Sequence, residues 1–348
     1  MKIGIISSTI LTCPPRTPTG EIGYGGLEQL AWQHAIGLAD KGHEVNLIAP
    51  TGSIVDSRLT YHFTSLGESE KQAYSGYWQK LLSFDCIIDH SWQKWSMMLK
   101  MEGRLTIPVL LWLHAPVDTM FQSKPPIDKP CFVAISQDQA NHTKEHLNCE
   151  AKLCYNGVDH HFYNRISEIK RSDNYLFLAR FSSIKGPDLA ISAAKESNVN
   201  LDMVGDDTIT GEPSLSMYIQ EQCTLSPKLR YIGPQSRSQC NLWFNRNKAL
   251  IHPNMRYREP FGLAPVEAQL CGMPVIAWDY GAMRETIRHG ETGFLVKSQE
   301  ELVELLKTDA VSTIDPLNCT AWAMEFSYTN MINRVNELCH EAVETGGW

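Results

Sequence analysis

The chain lacks the features that mark several large protein classes. Its ten cysteines include no Cys-x-x-Cys pair and no metal-ligand spacing, which excludes zinc ribbons and dithiol redox motifs. Several fall inside apolar stretches, so most are expected to be small buried thiols of a reducing cytosol. No segment approaches the ~20 apolar residues that a membrane-spanning helix needs. The opening Met1-Lys2-Ile3-Gly4-Ile5-Ile6 is too short for the apolar core of a secretory signal and reads as a first buried strand. Excess basic charge is missing too: a net charge of −8 argues against broad nucleic-acid binding. His160-His161 has metal-ligand chemistry but no third ligand nearby, and is read as surface.

What is present is an ordinary globular composition, 43% hydrophobic and 20% charged, over 348 residues. That length accommodates two α/β domains of roughly 150 residues each. Apolar runs at Lys2–Ser7, Glu44–Ala49, Cys86–Asp89, Val109–Leu113 and Cys131–Ile135 alternate with helical patterns, the first helix falling at about Leu27–Lys41. The alternation restarts at Tyr175–Arg180, with a helix Pro187–Glu196 and strands Asn200–Val204, Leu229–Ile232 and Ala249–His252. This is the pattern of two doubly wound, Rossmann-like halves. His160-His161 and the charged run Glu168–Asp173 interrupt it, so one domain is expected over 1–165 and another over 170–318, with a long helix over 320–343.

Glu259 and Glu267 are the most informative pair. Pro265 is expected to open a helix over about Leu263–Cys271, with Gly272 its stop and a strand Met273–Trp278 next. Glu259 then lies in the loop before the helix and Glu267 in its first turn. Between them, Phe261, Gly262 and Leu263 would offer unpaired N–H groups to a phosphate. A carboxylate on either side of a bound diphosphate could hold sugar hydroxyls, which suits a nucleotide-sugar. Arg180 and Lys185 leave a strand and enter a helix, where two cations would stabilise a departing diphosphate. The loop Gly20-Glu21-Ile22-Gly23-Tyr24-Gly25-Gly26-Leu27-Glu28 is not a dinucleotide fingerprint. Glu28 stands where a third glycine belongs, and Ala49-Pro50-Thr51 offers no acid for a ribose.

From Ile251-His252-Pro253 through Arg258-Glu259-Pro260-Phe261-Gly262-Leu263 to Glu267-Ala268 and Cys271-Gly272-Met273-Pro274-Val275-Ile276, the chain resembles the donor site of the retaining glycosyltransferases of family 4. Gly281-Ala282-Met283-Arg284-Glu285 and His289-Gly290-Glu291-Thr292-Gly293-Phe294-Leu295-Val296 continue the pattern. The resemblance implies an α/β GT-B architecture, two Rossmann-like domains facing across a cleft, with the terminal helix crossing back onto the first. It implies that Gly25 and Gly26 lie near the donor phosphates and that Ile232 and Gly233 border the nucleotide base. It implies that Arg180, Lys185 and Glu259 serve the transfer, and that His114, after a strand, contacts the transferred sugar. Asn156-Gly157-Val158-Asp159 with Phe162 matches the turn before the linker. Asp89 and His90 are acceptor-side candidates. Asn254, Trp278, Tyr280 and Ala282 depart from the usual pattern.

The expected activity is retaining transfer of a hexose from a nucleoside diphosphate sugar, UDP-sugar by default, to an acceptor that is a glycan, a lipid-linked species or a small molecule. No Asp-x-Asp occurs, so no metal or other cofactor is expected and the cations take its place. Glu259 could instead be a nucleophile. A nucleotide-sugar epimerase and a non-catalytic nucleotide-sugar binding protein are the alternatives. The expected location is cytoplasmic. A peripheral place at the inner membrane surface stays open through Trp92–Trp95 with Lys94, Lys100 and Arg104.

Overall fold

The computed structural model describes residues 1–16, 19–23, 25–207 and 211–348, which divide into two compact units. The first joins Met1–Gly157 to Tyr328–Trp348; the second is Val158–Ser327.

Among the described residues, the first unit carries strands β1 (Lys2–Ile6), β2 (Glu44–Pro50), β3 (Leu59–Thr64), β4 (Cys86–Asp89), β5 (Val109–Trp112), β6 (Phe132–Ala134) and β7 (Ala151–Leu153). They form one parallel sheet in the order β3-β2-β1-β4-β5-β6-β7. β4 and β5 are buried at every residue, the signature of a parallel strand covered on both faces. β3 lies at the edge and alternates, with Thr60 and Phe63 exposed. No unbroken apolar run marked it in the sequence.

The second unit carries β8 (Tyr175–Leu178), β9 (Leu201–Val204), β10 (Leu229–Gly233), β11 (Leu250–His252), β12 (Val275–Trp278) and β13 (Gly293–Val296). They pair in parallel in the order β10-β9-β8-β11-β12-β13. Tyr175, Phe177, Ile191, Met203 and Trp278 belong to its buried core. In each sheet the strand order reverses, between β1 and β4 and between β8 and β11, as in doubly wound folds.

The single helix expected over 320–343 is instead three segments: Pro316–Ala323, a 3-10 turn at Met324–Phe326, and Tyr328–Thr345. Trp322 and Phe326 belong to the second unit, where Arg288 lies 3.8 Å from the Trp322 ring centre and Phe326 meets Phe261 edge-on. Met331 and Val335 are buried in the first unit. Both stretches have helical periodicity, and Ser327, extended at ψ 152°, separates them.

The ten cysteines are free thiols, nine of them buried. Among the described residues no helix is long and apolar enough to cross a membrane. The Trp92–Trp95 segment keeps Trp92 exposed but buries Lys94 and Trp95. Lys100 donates to the Ile107 carbonyl at 2.8 Å, and Arg104 lies 4.2 Å from the Trp78 ring centre. Those cations are engaged within the unit rather than arrayed as one basic face.

The charged run Glu168–Asp173 belongs to the second unit and holds a structural cation. Arg171 Nη1 donates to the Phe244 and Asn247 carbonyls at 2.6 and 2.7 Å, and Nη2 to Cys271 at 2.6 Å. These are carbonyls at the C-terminal ends of the helices Arg237–Arg246 and Leu263–Leu270, where a cation is favoured. Arg171→Met, which keeps the stem and removes the donors, is expected to destabilise the protein by about 2–3 kcal/mol. Urea unfolding measures this; an unmoved midpoint would mean that water replaces the guanidinium at no cost.

Candidate functional site

The reversal between β8 and β11 sets two loops side by side at the carboxyl edge of the second sheet, where doubly wound folds bind ligands. From β8 the chain passes Arg180, turns through Ser183–Lys185 and enters the helix Pro187–Ser197. From β11, which ends at His252, it passes Glu259 and enters the helix Leu263–Leu270.

The loops meet at a nearly buried ion pair, Lys185 Nζ to Glu259 Oε2 at 2.5 Å. His252 Nε2 lies 3.6 Å from the same oxygen, too far for a hydrogen bond but within ion-pair reach. Burial alone would raise the Glu259 carboxyl. The Lys185 ammonium and His252 outweigh it and hold the group at about 2. Burial depresses His252 in turn, against the pull of Glu259. Lys185 therefore supplies the positive charge.

Two glycines permit this approach. Gly186 has φ +67°, and a Cβ there would stand 2.3 Å from the Pro253 carbonyl oxygen. Gly281 has φ +63°, and its Cβ would stand 2.7 Å from the Glu259 carbonyl oxygen. That same carbonyl accepts the Ala282 N–H at 3.0 Å. Asn254 Oδ1 accepts the Trp278 N–H at 3.2 Å. Three of the residues that depart from the family pattern thus fasten the Glu259 loop to β12 and the turn after it, while Tyr280 is exposed. Arg180 is half-buried on the same edge, its carbonyl taking the Ser182 N–H at 3.0 Å.

The helix starts at Leu263, after Gly262 at φ +83°, with no side-chain cap. Pro265 is therefore its third residue rather than its first, still within the turn that needs no N–H donor. Glu267 is the fifth, just past the first turn where it was expected. Phe261 is buried edge-to-face with Phe326 at 5.7 Å, so it can offer a ligand only main chain.

Glu267 is buried, and its Oε2 has no partner among the described residues. Burial pushes its carboxyl up to about 7, with the Arg237 guanidinium and the Tyr163 hydroxyl pulling back. Arg237 Nε reaches the Tyr163 hydroxyl at 3.4 Å. Sequence reading missed Tyr163 and Arg237, and quoted His252 without a role. The Ser236–Gln239 capping box, placing Arg237 first in a helix after β10, was the available signal. Ile232 and Gly233 close β10, where the Gly233 carbonyl takes the Gly205 N–H at 3.0 Å.

In the first unit Gly25 precedes the helix Gly26–Asp40, and Tyr24 lies outside the described residues. Glu28, in that helix's first turn, accepts the Ser8 hydroxyl, so the turn already holds a carboxylate. Asp89 is buried, its Oδ1 taking the Ser91 N–H at 2.8 Å and its Oδ2 the Ser96 hydroxyl. His90 is buried too, and its Nδ1 meets His114 Nε2 at 2.9 Å. Both acceptor-side candidates are thus bonded within the unit. Among the described residues, no group of three His, Cys, Asp or Glu side chains could hold a metal ion.

Two doubly wound parallel-sheet units in one chain define the GT-B class. Residues 158–308, which lie within the second unit, match the family model described as Glycosyl transferases group 1. The D-inositol 3-phosphate glycosyltransferase of Frankia alni is 28% identical over 147 residues, 39% of this chain and 36% of that protein. Its namesake from Mycobacterium tuberculosis is 32% identical over 127 residues, 36% of this chain and 26% of that protein. The matches thus span about a third or less of these curated relatives. Whole-chain similarity of fold extends to sucrose-phosphate synthase from Thermosynechococcus elongatus, with TM-score 0.79 at 17% identity over 99% of this chain and 100% of that one. Anabaena HepE in complex with UDP and glucose gives TM-score 0.74 at 20% identity over 97% of this chain and 98% of that one.

The buried pair makes a testable statement about stability. Glu259, depressed from 4.5 to about 2, contributes stability that is complete above 4.5 and drains away as pH falls toward 2. Lys185→Met leaves a buried carboxylate without its cation, expected to cost about 3–5 kcal/mol near neutral pH. Mild acidification should then recover part of the loss, and adding Glu259→Gln should recover most of it. Thermal unfolding against pH checks all three; a single variant as stable as wild type would show that the pair contributes nothing.

Proposed function

We propose that the protein transfers a hexose from a nucleoside diphosphate sugar, UDP-linked by preference, to an acceptor hydroxyl, with retention and without a metal ion. The observation that carries this is Glu267 Oε2, a buried carboxylate oxygen with no partner among the described residues, on the helix whose N-terminus, without a side-chain cap, follows Glu259. A ribose diol supplies the hydroxyls such an oxygen needs. The amides around Gly262 take the diphosphate at the positive helix end, and Glu259 takes hydroxyls of the hexose. Arg180 and Lys185 stabilise the charge on the departing diphosphate, the task a divalent cation would otherwise perform. Ion pairing keeps Glu259 ionised but weakly basic. That favours a hydroxyl acceptor over a nucleophile, and hence same-face attack aided by the leaving phosphate over a covalent glycosyl-enzyme. Anabaena HepE, of similar fold, was solved in complex with UDP-glucose, which supports the choice of a UDP-hexose.

Calorimetry of the purified protein against UDP, GDP and ADP hexoses, with EDTA present, is the test. One donor is expected to bind, indifferent to EDTA and at least about tenfold more weakly in Glu267→Ala. No binding by any of them would sink the reading, and epimerised donor recovered without acceptor would replace transfer by epimerisation. The same titration has a pH signature. Glu267 must ionise to accept ribose hydroxyls, so with its carboxyl at about 7 the donor should bind about tenfold tighter at pH 8 than at pH 6. Glu267→Gln should flatten that profile.

A further inference from the structure

Away from the second unit's cluster, the first unit holds three histidines in a row. His34, on the helix Gly26–Asp40, and His90, just past β4, are buried, while His114, two residues past β5, is half-buried. His34 Nδ1 lies 3.0 Å from His90 Nε2, and His90 Nδ1 lies 2.9 Å from His114 Nε2. At the inner end, His34 Nε2 lies 3.4 Å from the sulfur of Met331, which also accepts the Gly157 N–H at 2.9 Å. Trp112 packs edge-on against His34 with ring centres 4.5 Å apart and lies tilted to His90 at 5.4 Å. The charged groups beside them are Lys94, whose Nζ donates to the Asp89 carbonyl at 3.0 Å, and Asp89 itself.

The sulfur gives this row a direction. A neutral imidazole has one donor nitrogen and one acceptor, whereas a thioether can only accept. His34 must therefore carry its proton on Nε2, facing Met331, and accept at Nδ1. His90 must then donate from Nε2 and accept at Nδ1. His114 must donate from Nε2 in its turn, which leaves its Nδ1 as a lone pair outside the row. Reversing the row would face two lone pairs across the His34–Met331 contact, a buried bond unmade at a cost of about 1–3 kcal/mol. A proton added to His34 or His90 would force His114 into its Nδ1–H form. Burial opposes that, holding His34 at about 3 and His90 well below the usual histidine range.

We propose that Met331, His34 and His90 form a one-way hydrogen-bond chain that fixes His114 as its neutral Nε2–H tautomer, with Nδ1 presented as an acceptor. His34, His90 and Met331 are positioning residues, acting through His114. An imidazole locked in this way accepts from a hydroxyl and offers no proton to a phosphate or carboxylate. The first unit would thus select polyol groups, while the anion-binding groups stay on the second. This rests on the transferase reading only for the hydroxyl that His114 meets; the tautomers themselves do not.

Long-range 1H–15N correlation spectra of the full chain with 15N-labelled histidine, near neutral pH, test the chain directly. Single His variants assign the signals. All three rings are expected as pure Nε2–H forms with unprotonated Nδ1. Met331→Leu removes the accepting sulfur at nearly constant volume and is expected to bring averaged tautomer shifts to His34, His90 and His114. His90→Phe cuts the row midway and should release His114 while leaving His34 facing Met331. A wild-type His114 with a proton on Nδ1 overturns the proposal, as do unchanged tautomers in both variants. Sugar transfer by a protein without the locked tautomers refutes the chain alone. Locked tautomers in a protein that binds no nucleotide-sugar refute the transferase reading alone.

Discussion

One buried ion pair, Lys185 with Glu259, organises the working edge of the second unit. Its partners stand 74 positions apart in sequence and meet because β8 and β11 are neighbours where the sheet reverses. Removing two charges from water is unfavourable unless the geometry is close and fixed. Gly186 and Gly281 let the backbones approach, and Ala282 and Asn254 hold them there. Glu267 is the opposite case, buried with weaker compensation and left with an open oxygen. One environment thus keeps a carboxylate permanently ionised at about 2, and another leaves its neighbour in sequence poised at about 7. Environments that separate two carboxyl groups this far also separate their roles.

The first unit arranges its polar groups differently. Its polar groups past β4 and β5 are satisfied within the protein, Asp89 by serines and His90 by two other histidines. What distinguishes His114 is the direction of its hydrogen bond, inherited through two rings from a sulfur that cannot donate. Tautomer choice of this kind depends on the partner of the other ring nitrogen, not on net charge.

Much of the architecture was legible because parallel strands covered on both faces read as unbroken apolar runs, and β4, β5, β8 and β12 are of that kind. β3 alternates and was passed over. The break at Ser327 was invisible because helical periodicity continues on both sides of it. At the site, Glu259, Lys185 and Glu267 stood out by spacing and motif. The partners His252, Tyr163 and Arg237 did not, because strand order and the folding of a connector bring them in. The helix begins at Leu263, as its expected span had it, so Pro265 is its third residue and Glu267 falls two residues deeper than a helix opened by Pro265 would put it. Asp89 and His90 look alike in sequence whether a strand end is open or capped, and here it is capped.

The split of the first unit into Met1–Gly157 and Tyr328–Trp348 has a consequence for biosynthesis. Val158–Ser327 is a continuous stretch and has all of its own strands before Tyr328 is translated. The first unit at that moment holds its sheet but not the helix Tyr328–Thr345, and His34 has no sulfur opposite its Nε2. On the ribosome, the second unit can therefore mature while its companion is still open. The companion's polarity is decided by a methionine made only after the whole of the second unit.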